Sequence, residues 1–204
     1  MNMWDERLQG FTYPCGIDEV GRGPLAGPVV ACAVVMPKGA HIEGIRDSKK
    51  LTAKRRMTLS KEIRKEAVAI GIGMRDNFEI DLVNIKEATK LAMCDAVLSL
   101  QTQDGKSLSP DALFIDAEKI DLDIPQFSII HGDDVCYPIS CASIVAKVFR
   151  DELMEKFSEL YPHYEWEKNK GYGTKDHRDA ILKYGMTPLH RRTFLRKLLK
   201  EGEH

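Results

Sequence analysis

The segment Pro28-Val29-Val30-Ala31-Cys32-Ala33-Val34-Val35 is almost wholly apolar and rich in β-branched residues. Such a run has no polar face to turn to water, so it reads as a strand buried within a sheet, and it demands covering layers. Upstream, Pro14 to Glu19 reads as a second, shorter strand that ends in charge. Gly21 to Pro28, rich in glycine and proline, is a tight connection between the two. Two strands joined in this way make an antiparallel pair.

Periodicity places the other elements. Thr52 is an N-cap for a helix running to about Ala67, and Val68 to Met74 is a strand. Leu82, Ile85, Ala88, Leu91, Ala92 and Val97 recur at helical spacing, which predicts a helix over Leu82 to Leu100. Ala112 to Ile115 is a short buried strand with Asp116 at its end, and Phe127 to Ile130 is another. An amphipathic helix follows over Ala142 to Leu160. Thr174 caps a helix through Leu182 that closes near Gly185, and Leu189 to Lys200 forms a last, basic helix. Early strands followed by alternating helices and strands give an α/β layered architecture. With no repeat, linker or low-complexity tract, the 204 residues read as one domain that is helical from about residue 160.

The net charge of −1 does not by itself point to a nucleic-acid partner, so a binder of this composition must cluster its basic residues. Lys49, Lys50, Lys54, Arg55 and Arg56 make one such cluster, and Arg191, Arg192, Arg196, Lys197 and Lys200 another. Either binds phosphate or forms a solvated helix face. The five cysteines are odd in number and lack a C-x-x-C pair, as expected of reduced thiols in a cytoplasmic protein. No apolar run is long enough to span a bilayer, and the polar segment Met1 to Gly10 does not read as a signal peptide.

Asp18 and Glu19, Asp116, and Asp133 or Asp134 each follow or lie near an apolar strand. Carboxylates converging from strand ends repel one another, and a divalent cation removes that cost. Oxygen-only donors favour Mg²⁺ or Mn²⁺. Taken singly, each acid reads first as a turn former or helix cap, and spacing alone does not bring them together. Gly21-Arg22-Gly23 follows the first pair directly. Its backbone can approach a sugar hydroxyl or phosphate closely, and Arg22 can pair with a phosphate; the plainer reading is a strand-to-strand turn. Gly-Pro-Leu-Ala-Gly-Pro lacks the Gly-Lys-Ser/Thr ending of a nucleotide phosphate loop.

The run Ile17-Asp18-Glu19-Val20-Gly21-Arg22-Gly23-Pro24-Leu25-Ala26-Gly27-Pro28-Val29-Val30 closely resembles the signature of the ribonuclease HII family. Further blocks resemble that family in the same order: Asp47-Ser48-Lys49-Lys50-Leu51, Ile115-Asp116-Ala117, and Gly132-Asp133 followed by Ser140 to Val148. Gly171-Tyr172-Gly173-Thr174 and Pro188 to Phe194 complete the series. Ordered blocks over nearly the whole chain are far more specific than any one of them.

The resemblance implies a ribonuclease H-like fold, a central mixed sheet flanked by helices with a C-terminal helical part. It implies that Asp18, Glu19, Asp116 and Asp133 bind two Mg²⁺ or Mn²⁺ ions. Counting back from Ser143 selects Asp133, with Asp134 as the one-residue alternative. The implied substrates are RNA/DNA hybrids and single ribonucleotides in duplex DNA, cut on the 5′ side to leave 3′-hydroxyl and 5′-phosphate ends. Gly21, Arg22 and Gly23 are expected to read the 2′-hydroxyl, and Tyr172 to pack on the nucleotide after the ribonucleotide. Lys49, Lys50, Ser143 and Lys147 are expected phosphate contacts; the last two are read as beginning a helix, whose N-terminus favours anions. His177 and His190 have no visible partner and are not taken as ligands. A cytoplasmic monomer is expected. The competing readings are a ribonuclease HIII-like enzyme, a nucleic-acid-binding module with a degenerate site, and a Mg²⁺-dependent phosphatase.

Overall fold

The computed structural model describes residues 3–45 and 51–201. Lys49 and Lys50, with Asp47 and Ser48, lie outside the described residues. The strands are β1 (Pro14–Val20), β2 (Val29–Val35), β3 (Ala69–Arg75), β4 (Gln101–Thr102), β5 (Ala112–Asp116) and β6 (Gln126–Ile129). Among the described residues they form one mixed sheet in the order β4-β3-β2-β1-β5-β6. β1, β2 and β3 pair antiparallel, whereas β5 joins β1, and β6 joins β5, in parallel.

Every residue of β2 is buried, as its composition requires. Val29, Ala31, Ala33 and Val35 pack with Ala88, Ala92, Met93 and Ala96 of one helix, α4 (Ile85–Leu98). Cys32 and Val34 point the other way. They meet Leu59 and Ile63 of α2 (Ala53–Glu66) and Cys141, Ala142 and Val145 of α6 (Tyr137–Leu160). Each buried valine contributes about 1.5–3 kcal/mol. Thr52 caps α2 by accepting the Arg55 N–H, as expected. No helix among the described residues is long and apolar enough to cross a membrane.

Three boundaries differ from the sequence expectation. The helix expected over Leu82 to Leu100 breaks at Asn84, which has φ 70°. Asn84 ends α3 (Asn77–Val83) and its side chain accepts the Lys86 and Glu87 N–H groups to start α4. Helix α6 starts at Tyr137, not Ala142, because Pro138 fits the first turn, where a missing N–H costs nothing. Ser143 and Lys147 therefore stand in the helix interior, and the expectation that they begin a helix is wrong. The last helix, α9 (Arg192–Glu201), starts at Arg192 rather than Leu189. Asp81 of α3 accepts the Arg192 N–H at 2.7 Å and the Thr193 N–H at 3.0 Å, a cap supplied from far away in the chain.

The C-terminal part is helical, as expected. It contains α7 (Trp166–Asn169), α8 (Lys175–Tyr184), capped by Thr174, and α9, built around Trp166, Met154, Ile181 and Leu195. A four-residue helix, α5 (Gly132–Val135), precedes α6, and α1 (Met3–Leu8) opens the described chain.

Helix α6 lies directly on β1. A Cβ built at Gly16 would stand 2.1 Å from the backbone carbon of Pro138, so only glycine permits this approach. Gly16→Ala should therefore cost about 1–3 kcal/mol, the usual penalty of overpacking. Urea denaturation measures it, and an unchanged midpoint would show that the helix is free to move away.

Candidate active site

The parallel pairing of β1 with β5 ends at Ile17 opposite Ile115. The next residue on each strand is a carboxylate, Asp18 and Asp116, and equal register sends both to the same side of the sheet. The Gly132 N–H donates to Asp116 Oδ1 at 2.7 Å, which ties α5 to the end of β5. α5 carries Asp133, whose carbonyl accepts the Ser140 hydroxyl at 2.6 Å. Asp133 is buried and Asp134 is exposed. Asp18, Glu19, Asp116 and Asp133 thus line one pocket of about 440 Å³, and Asp134 does not. Arg56, His131, Ser143, Lys147 and Tyr172 share its wall.

The electrostatics of this pocket are unfavourable without a counter-charge. Burial pushes the Asp18 carboxyl well above its ordinary range; repulsion from Glu19 and Asp116 adds to it, and a Ser143 hydrogen bond opposes it. Burial also raises Glu19, with Arg22 opposing and Asp116 adding. Glu19 Oε1 accepts from Arg22 at 3.2 Å, but Oε2 is buried and has no hydrogen-bond partner. An orphaned carboxylate oxygen beside other buried acids is the donor set a hard cation satisfies. Among the described residues no three such side chains form a ready-made cage. An ion such as Mg²⁺ fits that condition, because it takes few protein carboxylates and completes its shell with water and phosphate.

Other expected residues take roles their spacing did not reveal. Arg22 bridges Glu19 and Glu118, at 3.2 and 3.5 Å, with its side chain still partly open to solvent. Lys147 lines the pocket and pairs with Asp151 at 2.6 Å. Ser143 hydrogen-bonds Asp18, so its place in the site is beside a carboxylate. Glu118 and His131 were missed. Both sit in loops just beyond strand ends, and the only local signal was their nearness to Asp116 and Asp133.

Arg191 is not a surface cation, as its place in a basic cluster suggested; it is fully buried. Its Nε donates to the Gly27 carbonyl at 3.0 Å, Nη1 to Arg22 at 2.9 Å and Nη2 to Gly21 at 2.6 Å. Arg150, equally buried, donates to the carbonyls of Pro28, Ala26 and Lys170 at 2.9, 3.1 and 2.9 Å. Two guanidinium groups thereby clasp the Gly21–Pro28 connection from below. Gly21 has φ 93°, and a Cβ there would lie 2.3 Å from Arg150 Nε. Burial, then repulsion from Arg150, lowers the Arg191 pKa to about 9.

Tyr172 is exposed on the pocket wall, with its ring edge 3.7 Å from where a Gly23 Cβ would stand. Its carbonyl is 2.9 Å from His177 Nδ1, and His177 Nε2 is 3.1 Å from His190 Nε2. The two histidines without visible partners are therefore partners of each other. Burial lowers both pKa values, that of His190 to about 4 with His177 adding to the effect.

Comparison with known proteins gives a consistent family. The sequence model described as ribonuclease HII matches residues 15–198. The chain is 52% identical to a ribonuclease HII of Alkaliphilus metalliredigens over 97% of its own length and 96% of that protein. Its fold is similar to the crystal structure of ribonuclease H2 from Pyrococcus horikoshii, with a TM-score of 0.74, 25% identity, and 94% of this chain and 99% of that one covered. It is also similar in fold to Bst-RNase HIII solved in complex with Mn²⁺, at a TM-score of 0.70 and 18% identity, covering 94% of this chain and 70% of that one.

Removing the Arg191 clasp leaves carbonyls at Gly21, Arg22 and Gly27 without their donor. Arg191→Met should therefore lower stability by at least about 3 kcal/mol in urea unfolding; a loss within experimental error would mean the loop holds itself. The histidine pair sets a pH dependence. Both rings are held neutral in the fold, so the unfolded chain takes up protons first as pH falls below about 6.5, and His190 stability is lost progressively down to about pH 4. The raised carboxyls of Asp18 and Glu19 act in the opposite sense. The measurement is accordingly the stability of the protein relative to His190→Gln, which should fall between pH 7 and pH 5; a difference independent of pH would contradict it.

Proposed function

Because the chain belongs to the ribonuclease HII family of metal-dependent ribonucleases H, we propose that it is an endoribonuclease acting on the 5′ side of ribonucleotides in RNA/DNA hybrids and of single ribonucleotides in duplex DNA, leaving 3′-hydroxyl and 5′-phosphate ends. The observation that carries this reading is the pocket lined by Asp18, Glu19, Asp116 and Asp133, in which Glu19 Oε2 is buried without a partner. These four residues would hold Mg²⁺ or Mn²⁺. Two such ions supply an activated water and neutralise the charge on the leaving oxygen when bound.

The remaining residues position the substrate. Ser143 holds Asp18, and Arg22 holds the other oxygen of Glu19, so both carboxylates are oriented before a cation arrives. Lys147 and Arg56 bring positive charge to the pocket wall, where a phosphate backbone would pass. Lys49 and Lys50 are proposed as further phosphate contacts. Gly21, Arg22 and Gly23 follow the first two carboxylates in the chain, so a ribose whose phosphate meets the acids is within reach of their backbone groups. Reading the 2′-hydroxyl is how a protein separates RNA from DNA at one position. The Tyr172 ring stands on the same wall and would stack on the neighbouring nucleotide. We further propose that it acts as a monomer in the cytoplasm.

The test is cleavage of an RNA/DNA hybrid. Activity should require Mg²⁺ or Mn²⁺ and stop on chelation. Asp116→Asn should lower kcat on the order of 10²–10³-fold, the scale of losing a group that stabilises transition-state charge, with hybrid binding largely intact. Cleavage that survives chelation, or full activity in Asp116→Asn, would remove the carboxylate pocket from the reaction.

A further inference from the structure

His177 and His190 are buried beneath Tyr172, and the directions of their hydrogen bonds can be worked out atom by atom. The Tyr172 carbonyl can only accept, so His177 Nδ1, 2.9 Å away, carries a proton and donates it. His177 Nε2 is therefore an acceptor. The Trp166 indole N–H, which can only donate, points at it from 3.0 Å. At the other ring, the Thr187 backbone N–H donates to His190 Nδ1 at 2.9 Å, so that nitrogen is bare. His190 Nε2 then carries the proton and donates across 3.1 Å to His177 Nε2. The Thr187 hydroxyl completes the set by donating to His190 Nδ1 at 2.9 Å. Each end of the chain is a group with a single possible role, so one proton arrangement is selected; each bare nitrogen has one lone pair, which His177 Nε2 shares between Trp166 and His190 and His190 Nδ1 shares between the two Thr187 donors.

We propose that this neutral, proton-ordered pair is a positioning device for Tyr172: His177, oriented by His190 and Trp166, fixes the Tyr172 carbonyl and with it the ring, and so sets the preference for an isolated ribonucleotide over a continuous RNA strand. The proposal rests on the reading of Tyr172 as a substrate-facing ring. The geometry around the ring supports it. Tyr172 lies outside regular helix, yet its carbonyl accepts from both His177 and the Thr174 N–H, and its own N–H donates to the Asn169 carbonyl. The ring edge lies 3.7 Å from where a Gly23 Cβ would stand, and the Arg150 guanidinium lies 6.0 Å from its centroid. Anchoring the backbone fixes the point and direction from which the exposed ring reaches into the pocket.

The experiment compares kcat/KM on a duplex with one ribonucleotide to kcat/KM on a continuous hybrid, as a ratio. Tyr172→Ala should lower the ratio. His177→Leu, which removes the donor, should lower it about tenfold, and His177→Asn, which places an amide N–H where Nδ1 stood, should restore most of it. In the Tyr172→Ala background, His177→Leu should leave the ratio unchanged. A ratio unaffected by His177→Leu while Tyr172→Ala lowers it, or a further drop in the double variant, overturns the positioning role. An unchanged ratio in Tyr172→Ala overturns the substrate-facing reading itself and the selectivity claim with it. Nitrogen-15 NMR of the unaltered protein needs no variant to fold. It should show the Nδ1–H tautomer at His177 and the Nε2–H tautomer at His190, and either ring in the opposite form overturns the proposal.

Discussion

Two buried guanidinium groups, those of Arg150 and Arg191, hold the connection between β1 and β2 against the C-terminal layer. Their hydrogen bonds go to main-chain carbonyls at Gly21, Arg22, Ala26, Gly27, Pro28 and Lys170. Backbone bonds run alongside: the Leu25 N–H donates to the Gly171 carbonyl at 2.7 Å and the Arg191 N–H to the Leu25 carbonyl at 2.8 Å. Hydrogen bonds from a charged donor are each worth about 1.5–3 kcal/mol, and buried carbonyls stripped of them cost a comparable amount. The clasp therefore makes one unit of the sheet's first turn, the Gly-Tyr-Gly loop and the segment leading into α9. It also leaves positive charge under a loop that borders several acids, and that charge favours a phosphate backbone where the acids alone would repel it.

Given that rigid edge, the site follows from strand register. Parallel pairing of β1 with β5 sets Asp18 beside Asp116, and the bond from Gly132 to Asp116 brings the short helix with Asp133 to the same place. The raised proton affinity of Asp18 and Glu19 and the orphaned Glu19 oxygen are the two faces of one condition, burial of carboxylates beside other negative charge.

Much of this was legible in the sequence because it rests on local rules. An apolar run with no polar face had to be a central strand, Thr52 and Thr174 capped the helices they precede, and the α/β mixed sheet with a helical C-terminal part stands as read. What escaped was set by tertiary partners. The apolar spacing from Leu82 onward was helical, but Asn84 satisfied the next two N–H groups and broke it. The helix read from Ala142 onward begins at Tyr137, with Pro138 in its first turn. Arg191 read as a surface cation because a helix of alternating basic residues usually is one, and nothing near it in the chain announces carbonyls contributed by residues 21–27. The histidine pair was silent for the same reason.

We propose that the carboxylate pocket and the clasped loop beside it act together on a single ribonucleotide. The direct measurement is product mapping on duplex DNA carrying one ribonucleotide, next to an all-DNA duplex of the same sequence, with Mg²⁺ or Mn²⁺ present. A single nick on the 5′ side of the ribonucleotide, ending in 3′-hydroxyl and 5′-phosphate, with the all-DNA duplex intact, is the result expected. No nick, or equal cutting of both duplexes, would contradict it.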